Sequence, residues 1–181
     1  MAEFIDEVKL VKLMLDQHLF EDLDYTQVAS LIERGNQRVA PVGEVLCESR
    51  TIDEKLILLL DGSLRLESAE GEEVTRLKPV RVLGEMGVFT GQTRSSRVVV
   101  AEDATLLELE AGDIQELLEE DPQIGNHMLA NLIKLLYSRV HDANDQVAGL
   151  KYETGRLHAR LRELAPDDPL LEELFPTQAL E

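Results

Sequence analysis

The chain has 181 residues, enough for one domain with a substantial core and an appendage but too few for two ordinary domains. Its hydrophobic fraction of 44% predicts a folded protein, and its net charge of −18 argues against nucleic acid or an acidic membrane face as a direct partner, because polyanions are bound through basic patches. The single cysteine excludes an internal disulfide framework, and the sequence has neither an apolar run of about 20 residues nor a basic start followed by an apolar block, so we expect a cytoplasmic protein.

The first 34 residues have the spacing of two short helices. Apolar residues recur at helical intervals from Phe4 to Leu15, and a second helix is expected to begin after Asp24 and to end near Gly35. We assign residues 1–18 to an N-terminal helix that precedes the main domain.

Residues 36–110 consist of short apolar or alternating runs, which are typical of β-strands. Turn signals separate these runs at residues 41–43, 61–62, 69–71 and 102–103. Many strands at close spacing predict a small antiparallel barrel, sandwich or jelly roll.

A short helical pattern then ends before Pro122, and a long one runs from about Ile124 to Leu164 with an unbroken heptad repeat. The a positions are Ile133, Val140, Val147, Thr154 and Leu161, and the d positions are Leu129, Leu136, Ala143, Leu150, Leu157 and Leu164. Branched residues at a and mostly leucine at d favour a parallel two-stranded coiled coil, so we predict a homodimer formed through residues 123–164. The alternative is that the stripe packs against the chain's own barrel.

Residues 165–181 contain three prolines and many acids, without a globular pattern. We expect this tail to be disordered. The alternative is that its LLEELF segment forms a short helix that binds a partner.

The stretch from residue 82 to residue 100 is unusual in this acidic chain, because no Asp or Glu follows Glu85 within it. Gly84 permits an unusual backbone angle and the close approach of a ligand, while Glu85 offers a carboxylate that can accept from two hydroxyls. Residues 86–89 are expected to form one helical turn, whose free N–H groups attract an anion.

A guanidinium and two hydroxyls complete this set of groups. Arg94 lies nine residues after Glu85 and suits a phosphate, and Ser95 and Ser96 follow it. Together these groups match a sugar phosphate that carries one negative charge. The composition leaves a second interpretation equally open, in which the stretch is an ordinary loop and Arg94 pairs with one of the chain's many acids.

The segment LGEMGVFTGQTRSSRV resembles the phosphate-binding cassette of cyclic-nucleotide-binding domains, and most closely the form found in bacterial catabolite activator proteins. The resemblance covers about residues 19–145. It implies an α+β fold, in which an eight-stranded antiparallel, jelly-roll-like β-roll at residues 19–122 is flanked by N-terminal helices and followed by a long C-terminal coiled-coil helix.

The same resemblance implies roles for individual residues. Glu85 would accept the ribose 2′-hydroxyl, and Arg94 would pair with the cyclic phosphate. Ser95, with Ser96 beside it, would add phosphate hydrogen bonds, and the backbone from Gly84 to Met86 would line the sugar. Possible purine contacts are Arg97, Leu136 and Tyr137. The Tyr137 ring is placed to cover the base even from the other subunit, and the alternative is that it packs in the dimer interface.

Three departures from the family pattern bear on these roles. Thr93 stands where the family has proline, and Arg97 stands where it has threonine, so that Arg97 faces solvent, stacks on the purine or blocks it. The loop from Ser49 to Lys55 lacks the glycines that are usual there. We favour cAMP over cGMP as the ligand, although Ser95 does not distinguish adenine from guanine.

The resemblance implies a sensor rather than a transcription factor or an enzyme. About 17 residues follow Leu164, fewer than a helix-turn-helix requires. The histidines His18, His127, His141 and His158 all fall outside the strand region, which argues against a cupin-like enzyme with a histidine-bound metal in the barrel. We therefore expect a non-enzymatic sensor without a cofactor, which signals to an unidentified protein partner. The alternative is a dimeric scaffold that keeps the fold but binds no ligand.

Overall fold

The computed structural model describes residues 4–68 and 71–165. The tail assigned from the sequence, residues 165–181, includes the LLEELF segment and lies outside the described residues except for Ala165. The helices are α1 (Glu7–Leu15), α2 (Tyr25–Arg34), α3 (Glu85–Thr90), α4 (Ala111–Glu120) and α5 (Pro122–Leu164), with a 3₁₀ turn at His18–Phe20. The strands are β1 (Asn36–Ala40), β2 (Val45–Cys47), β3 (Lys55–Glu67), β4 (Glu73–Leu77), β5 (Arg81–Leu83) and β6 (Arg97–Glu110).

The chain divides into two compact units, residues 1–135 and residues 136–181. The first unit contains an antiparallel sheet in the order β1-β6-β3-β4, in which β2 also pairs with β6 and β5 also pairs with β3. The α+β class predicted from the sequence is confirmed, since helices precede and follow this antiparallel sheet.

The described part of the chain has six strands, whereas the resemblance implied eight. The difference arises because two turn signals do not interrupt their strands. Gly62 and Asp103 lie opposite each other in the β3–β6 pair, where the register shifts on both sides of Gly62. A Cβ atom on Gly62 would lie 2.4 Å from the Asp103 carbonyl oxygen, so glycine lets the two bent backbones approach. Each bend thus joins two short runs into one long strand.

The core of the sheet is formed by apolar side chains from β3 and β6, with Ala40 from β1 added to them. Its buried members are Ala40, Ile57, Leu59, Leu64, Val98, Val100, Ala104 and Leu106. These side chains come from the alternating apolar runs of the sequence, because alternate residues of a strand face the same side of a sheet.

The N-terminal helices are held by local capping and by α5. Asp24 and Gln27 form a reciprocal capping box at the start of α2, which explains why that helix begins there. Asn131 on α5 is buried, and its side-chain amide donates to the carbonyl oxygens of Leu19 and Glu21. The beginning of α5 is therefore anchored to the 3₁₀ turn within the first unit.

In the second unit, α5 continues to Leu164 as a helix with an exposed apolar stripe. Exposed large apolar residues at the predicted a and d positions of this unit are Val140, Val147, Leu150, Leu157, Leu161 and Leu164. None of the helices in the described ranges is both long enough and apolar enough to cross a membrane.

Candidate functional site

The unusual stretch of the sequence forms β5, a tight turn and α3, followed by a loop that leads into β6. Gly84 caps the start of α3 with φ of 89°, and Gly91 ends the helix with φ of 65°. Both angles lie in the left-handed region that glycine adopts without strain. The single helical turn expected at residues 86–89 is present within α3, where the hydroxyl of Thr90 also donates to the Met86 carbonyl oxygen.

The guanidinium of Arg94 lies directly against this turn. A Cβ atom at position 84 would be 2.0 Å from Nη1 of Arg94 and 2.4 Å from the carbonyl oxygen of Lys55. Any side chain at that position would collide with both groups. Gly84 is therefore required by its backbone angle and by the close approach of the cation.

Arg94 is buried, and protein acceptors contact one edge of its guanidinium. Nε donates to Oδ2 of Asp53 at 3.2 Å, and Nη2 lies 3.0 Å from the same oxygen, within ion-pair distance. Nη2 donates to the Lys55 carbonyl oxygen. The backbone is paired as well, because Arg94 N donates to the Thr51 carbonyl and Arg50 N donates to the Arg94 carbonyl, each at 2.8 Å. The structure thus gives Arg94 an acidic partner, as the second interpretation of the sequence allowed.

The other residues assigned to the site from the sequence lie around this turn in different environments. Glu85 is buried at the start of α3, with 6% of its surface exposed. Met86 is half-buried, Ser95 is exposed and Ser96 is half-buried. The turn therefore combines a buried carboxylate and a buried guanidinium with an exposed hydroxyl.

Cys47 packs beside the end of this loop. Its thiol donates to the Ser96 carbonyl oxygen at 3.8 Å. Burial raises the pKa of the Cys47 thiol, and this effect outweighs the opposing field of Arg94. We therefore regard Cys47 as a packing residue rather than a nucleophile.

Arg97 is held by two carboxylates. Its guanidinium pairs with Glu67 on β3 and with Glu48. Glu67 is buried and also pairs with Arg65 on its own strand. The Arg97 side chain is engaged in this ion-pair cluster and keeps 35% of its surface exposed, and its relation to a purine stays a prediction.

The cluster gives a stability prediction for acidic pH. Hydrogen bonds from Arg65, and then from Arg97, lower the pKa of Glu67. Its stabilising contribution is therefore complete above the unfolded value of about 4.3 and is lost as the pH falls through the lower folded value. We expect Glu67→Gln to lower the melting temperature at pH 7, and the difference from wild type to shrink below about pH 4.

The matched control for this experiment is Glu119→Gln, an exposed position on α4. Thermal unfolding followed by circular dichroism at several pH values measures both variants. We expect the control to differ little from wild type at any pH. A deficit of Glu67→Gln that stays constant down to pH 3 would contradict the assigned role of the carboxylate.

Leu136 and Tyr137, the remaining possible purine contacts, belong to the second unit. Leu136 is half-buried, and Tyr137 has 72% of its surface exposed and stacks on His141, with 6.2 Å between the ring centroids. Their role toward a base stays a prediction. Among residues 4–68 and 71–165, no group of three or more histidine, cysteine or acidic side chains is arranged to hold a metal ion.

Asp53 is the site residue that the sequence analysis missed. It lies two residues before the start of β3, and its Oδ1 accepts from the backbone N–H of Lys55 at 3.2 Å. Its own carbonyl oxygen would lie 3.0 Å from a Cβ atom on Gly87, so the loop packs closely on α3. The sequence analysis noted only that this loop lacks the glycines usual in the family, and that feature does not single out Asp53.

Comparison with known proteins identifies related domains. Residues 37–121 match the family model of the cyclic nucleotide-binding domain. A cyclic nucleotide-gated potassium channel of Rhizobium etli is 27% identical over 119 residues, which are 66% of this chain and 33% of the channel. The chain therefore spans about a third of the length of this curated relative.

Two solved structures share the fold. The catabolite activator protein of Thermus thermophilus matches with a TM-score of 0.67 and 26% identity, over 84% of this chain and 73% of that chain. A cyclic nucleotide-binding domain from Methylobacillus flagellatus matches with a TM-score of 0.66 and 22% identity, over 78% of this chain and 84% of that chain. The resemblance found in the sequence is confirmed by the family-model match over residues 37–121.

Proposed function

We propose that this chain, in which residues 37–121 belong to the cyclic nucleotide-binding domain family, is a non-enzymatic sensor of a cyclic nucleotide. The observation that carries the proposal is the buried guanidinium of Arg94 lying against the left-handed turn at Gly84, next to the buried carboxylate of Glu85. In our proposal Arg94 holds the cyclic phosphate and Glu85 accepts a ribose hydroxyl.

The two buried charges have opposite preferences for a ligand. A guanidinium forms its strongest hydrogen bonds with a carboxylate or phosphate, whereas an ionised carboxylate only accepts and therefore selects hydroxyls. A ligand that satisfies both presents an anion and a sugar hydroxyl. A nucleoside cyclic phosphate does so with a single negative charge, and this limits repulsion by the acidic chain.

Within this class we favour cAMP over cGMP, because the cassette is most similar to the catabolite activator form. Ser95 is exposed and Ser96 is half-buried, and in our proposal both add hydrogen bonds to the phosphate. The backbone from Gly84 to Met86 would line the sugar. Contacts from Leu136, Tyr137 or Arg97 to the base belong to the same proposal.

The test is a calorimetric titration of the purified chain with cAMP, cGMP and 5′-AMP. We expect the cyclic nucleotides to bind one per chain with micromolar dissociation constants, which correspond to about −8 kcal/mol. We expect 5′-AMP to bind much more weakly, since its open phosphate carries a second charge beside Glu85. If no cyclic nucleotide binds at millimolar concentration, the sensor proposal is wrong.

The second part of the proposal is that the chain dimerises through α5, with residues 123–164 forming the parallel coiled coil. The large apolar a and d side chains from Val140 onward are exposed in the single chain, as for Val147 with 52% and Leu150 with 63% of its surface exposed. A row of large apolar side chains on a helix is seldom left in water. A second copy would cover it, and an unidentified protein partner would then read the paired helices.

One observation favours the alternative, a dimeric scaffold without a ligand. Asp53 already supplies Arg94 with an anion, so the cation has a structural partner. The same titration separates the two functions, because the scaffold would dimerise without binding any cyclic nucleotide.

A further inference from the structure

We propose that residues 166–181, the tail that follows α5, fold back on the last turns of that helix and cover the side that carries His158. The contact is intramolecular, and it competes with a second copy of the chain for the end of the coiled coil. It takes the second interpretation of the tail from the sequence, with the chain's own helix as the partner. Only its effect on the dimer rests on the proposed function.

One side of the end of α5 is covered in the structure. From Tyr137 to Ala165, every residue is exposed except Gly155, His158 and Ala165. His158 keeps only 7% of its surface exposed, whereas the side chain of His141 on the same helix keeps 64%. A histidine on a single helix stays largely in water, because only residues three and four positions away reach it. The cover over His158 therefore comes from outside the helix.

The covered side of the helix touches the predicted seam. Gly155 lies three residues before His158 and Ala165 lies seven residues after it, which places all three on one side. Leu161, an a position, lies between His158 and Ala165 on that side. With 43% of its surface exposed, it is the least exposed of the large apolar seam residues from Val140 onward. The cover thus reaches the seam at its last a position.

The tail has the sequence signals of a short helix. Asp168 is a favoured N-cap residue, and Pro169 after it suits the first helical position. Pro176 disfavours helical geometry at Phe175, so the helix is expected to end there. The sequence therefore predicts a helix over residues 169–175.

The length of this segment fits a return along the covered side. As a helix, residues 169–175 would span about 10 Å. The same rise separates Ala165 from His158, because these residues also lie seven positions apart. Residues 166–168 form a connection as short as those that join antiparallel helices. A helix that turns back after Ala165 would therefore end beside His158.

The tail and the end of α5 are complementary in chemistry. Residues 151–162 carry four basic side chains and one acidic side chain, in a chain whose net charge is −18. One of the four, Arg162, lies one turn after His158 on the covered side. The tail has five acidic residues and no basic one, and its apolar residues recur at helical spacing. These apolar residues are Leu170, Leu171, Leu174 and Phe175.

The short connection favours the tail over a separate partner. A segment joined through a short linker reaches an effective concentration of about a millimolar or more. A free partner must match that concentration to displace it. While the tail is docked at Leu161, a second copy of the chain cannot pack against that residue, so the tail opposes dimerisation.

The experiment measures how fast diethyl pyrocarbonate modifies each histidine, resolved by mass spectrometry. It compares the wild type with Leu174→Asp, which places a charge in the apolar side of the tail, and with Gln178→Asp, which adds the same charge beyond the predicted helix. We expect His158 to react about ten-fold more slowly than His141 in the wild type and in Gln178→Asp. In Leu174→Asp we expect the two histidines to react at similar rates.

A wild-type His158 that is as reactive as His141 would show that its side of the helix is open. A His158 that stays protected in Leu174→Asp would show that something other than the tail covers it. The rates are measured at protein concentrations about ten-fold apart, because protection by the tail is intramolecular and independent of concentration. Protection that grows with concentration would assign the cover to a second copy. Each of these three results overturns the inference.

Sedimentation equilibrium of the same three proteins tests the competition with the dimer. We expect Leu174→Asp to dimerise about five-fold more tightly than the wild type, because the tail no longer occupies Leu161. We expect Gln178→Asp to match the wild type. A dimer of Leu174→Asp that is no tighter would refute the competition. If none of the three proteins dimerises, the proposed coiled coil is wrong, while the reactivity of His158 still decides whether the tail docks.

Discussion

Replacing Arg94 by glutamine is expected to weaken cAMP binding by about 10- to 150-fold, the equivalent of the 1.5–3 kcal/mol that a hydrogen bond to a charged group contributes. The reason is that Arg94 is the buried cation nearest the glycine turn, and glutamine offers neither its charge nor its paired N–H groups. Calorimetric titration measures the loss directly.

This substitution also affects stability, which must be separated from binding. Removal of Arg94 leaves the partly buried Asp53 without its cation, and breaking such a pair costs about 3–5 kcal/mol. We expect the double variant Asp53→Asn with Arg94→Gln to recover much of the melting temperature, because both side chains are then neutral. It should nevertheless bind cAMP as weakly as the single variant.

A suitable control is Arg76→Gln on β4, where the arginine is exposed and pairs with Glu73. It removes a positive charge of the same kind, and we expect little change in binding. An Arg94→Gln protein that keeps its affinity within about two-fold would show that the phosphate, if bound, does not depend on this guanidinium.

Replacing Leu150 by aspartate is expected to separate the proposed dimer. Leu150 occupies a d position of the heptad repeat, and dimerisation would bury one copy of its side chain against the other. Two carboxylates facing each other in an apolar seam lose solvation and repel, so we expect the dimer dissociation constant to rise by about a hundred-fold or more. Sedimentation equilibrium of the wild type and the variant measures this change.

The control is Ala148→Asp, which adds the same charge on the same turn at a position outside the seam. We expect it to remain dimeric. Two results would count against the proposed coiled coil. The first is a wild-type chain that is monomeric at micromolar concentration, and the second is a Leu150→Asp chain that remains dimeric. The first of these would also remove the scaffold alternative.

The local elements were largely predictable because their signals act over a few residues. The start of α2 follows from Asp24 and Gln27, three positions apart. The turn at Gly84 was recognised because the left-handed angle needs glycine whatever surrounds it. The heptad repeat likewise indicated a long helix without knowledge of its partner.

The number of strands was not predictable in the same way. The signals at residues 61–62 and 102–103 are true bends, but whether a bend ends a strand depends on the chain opposite. Here the two bends face each other and the β3–β6 pairing continues past them. Eight expected strands therefore became six in the described residues, because pairing across the sheet is decided by register and not by local composition.

By itself the sequence determined the resemblance to the cyclic nucleotide-binding domain that the family model matches at residues 37–121, the position of the glycine turn, the presence of Glu85 and Arg94 nine residues apart, and the extent of the long helix. Only the tertiary structure decided that Asp53, 41 residues away from Arg94, is the acid that meets it, and that Arg97 is taken up by Glu67. The physical reason is that turns and helices depend on near neighbours, whereas the choice of one partner among 36 acidic residues depends on how the strands and loops are brought together.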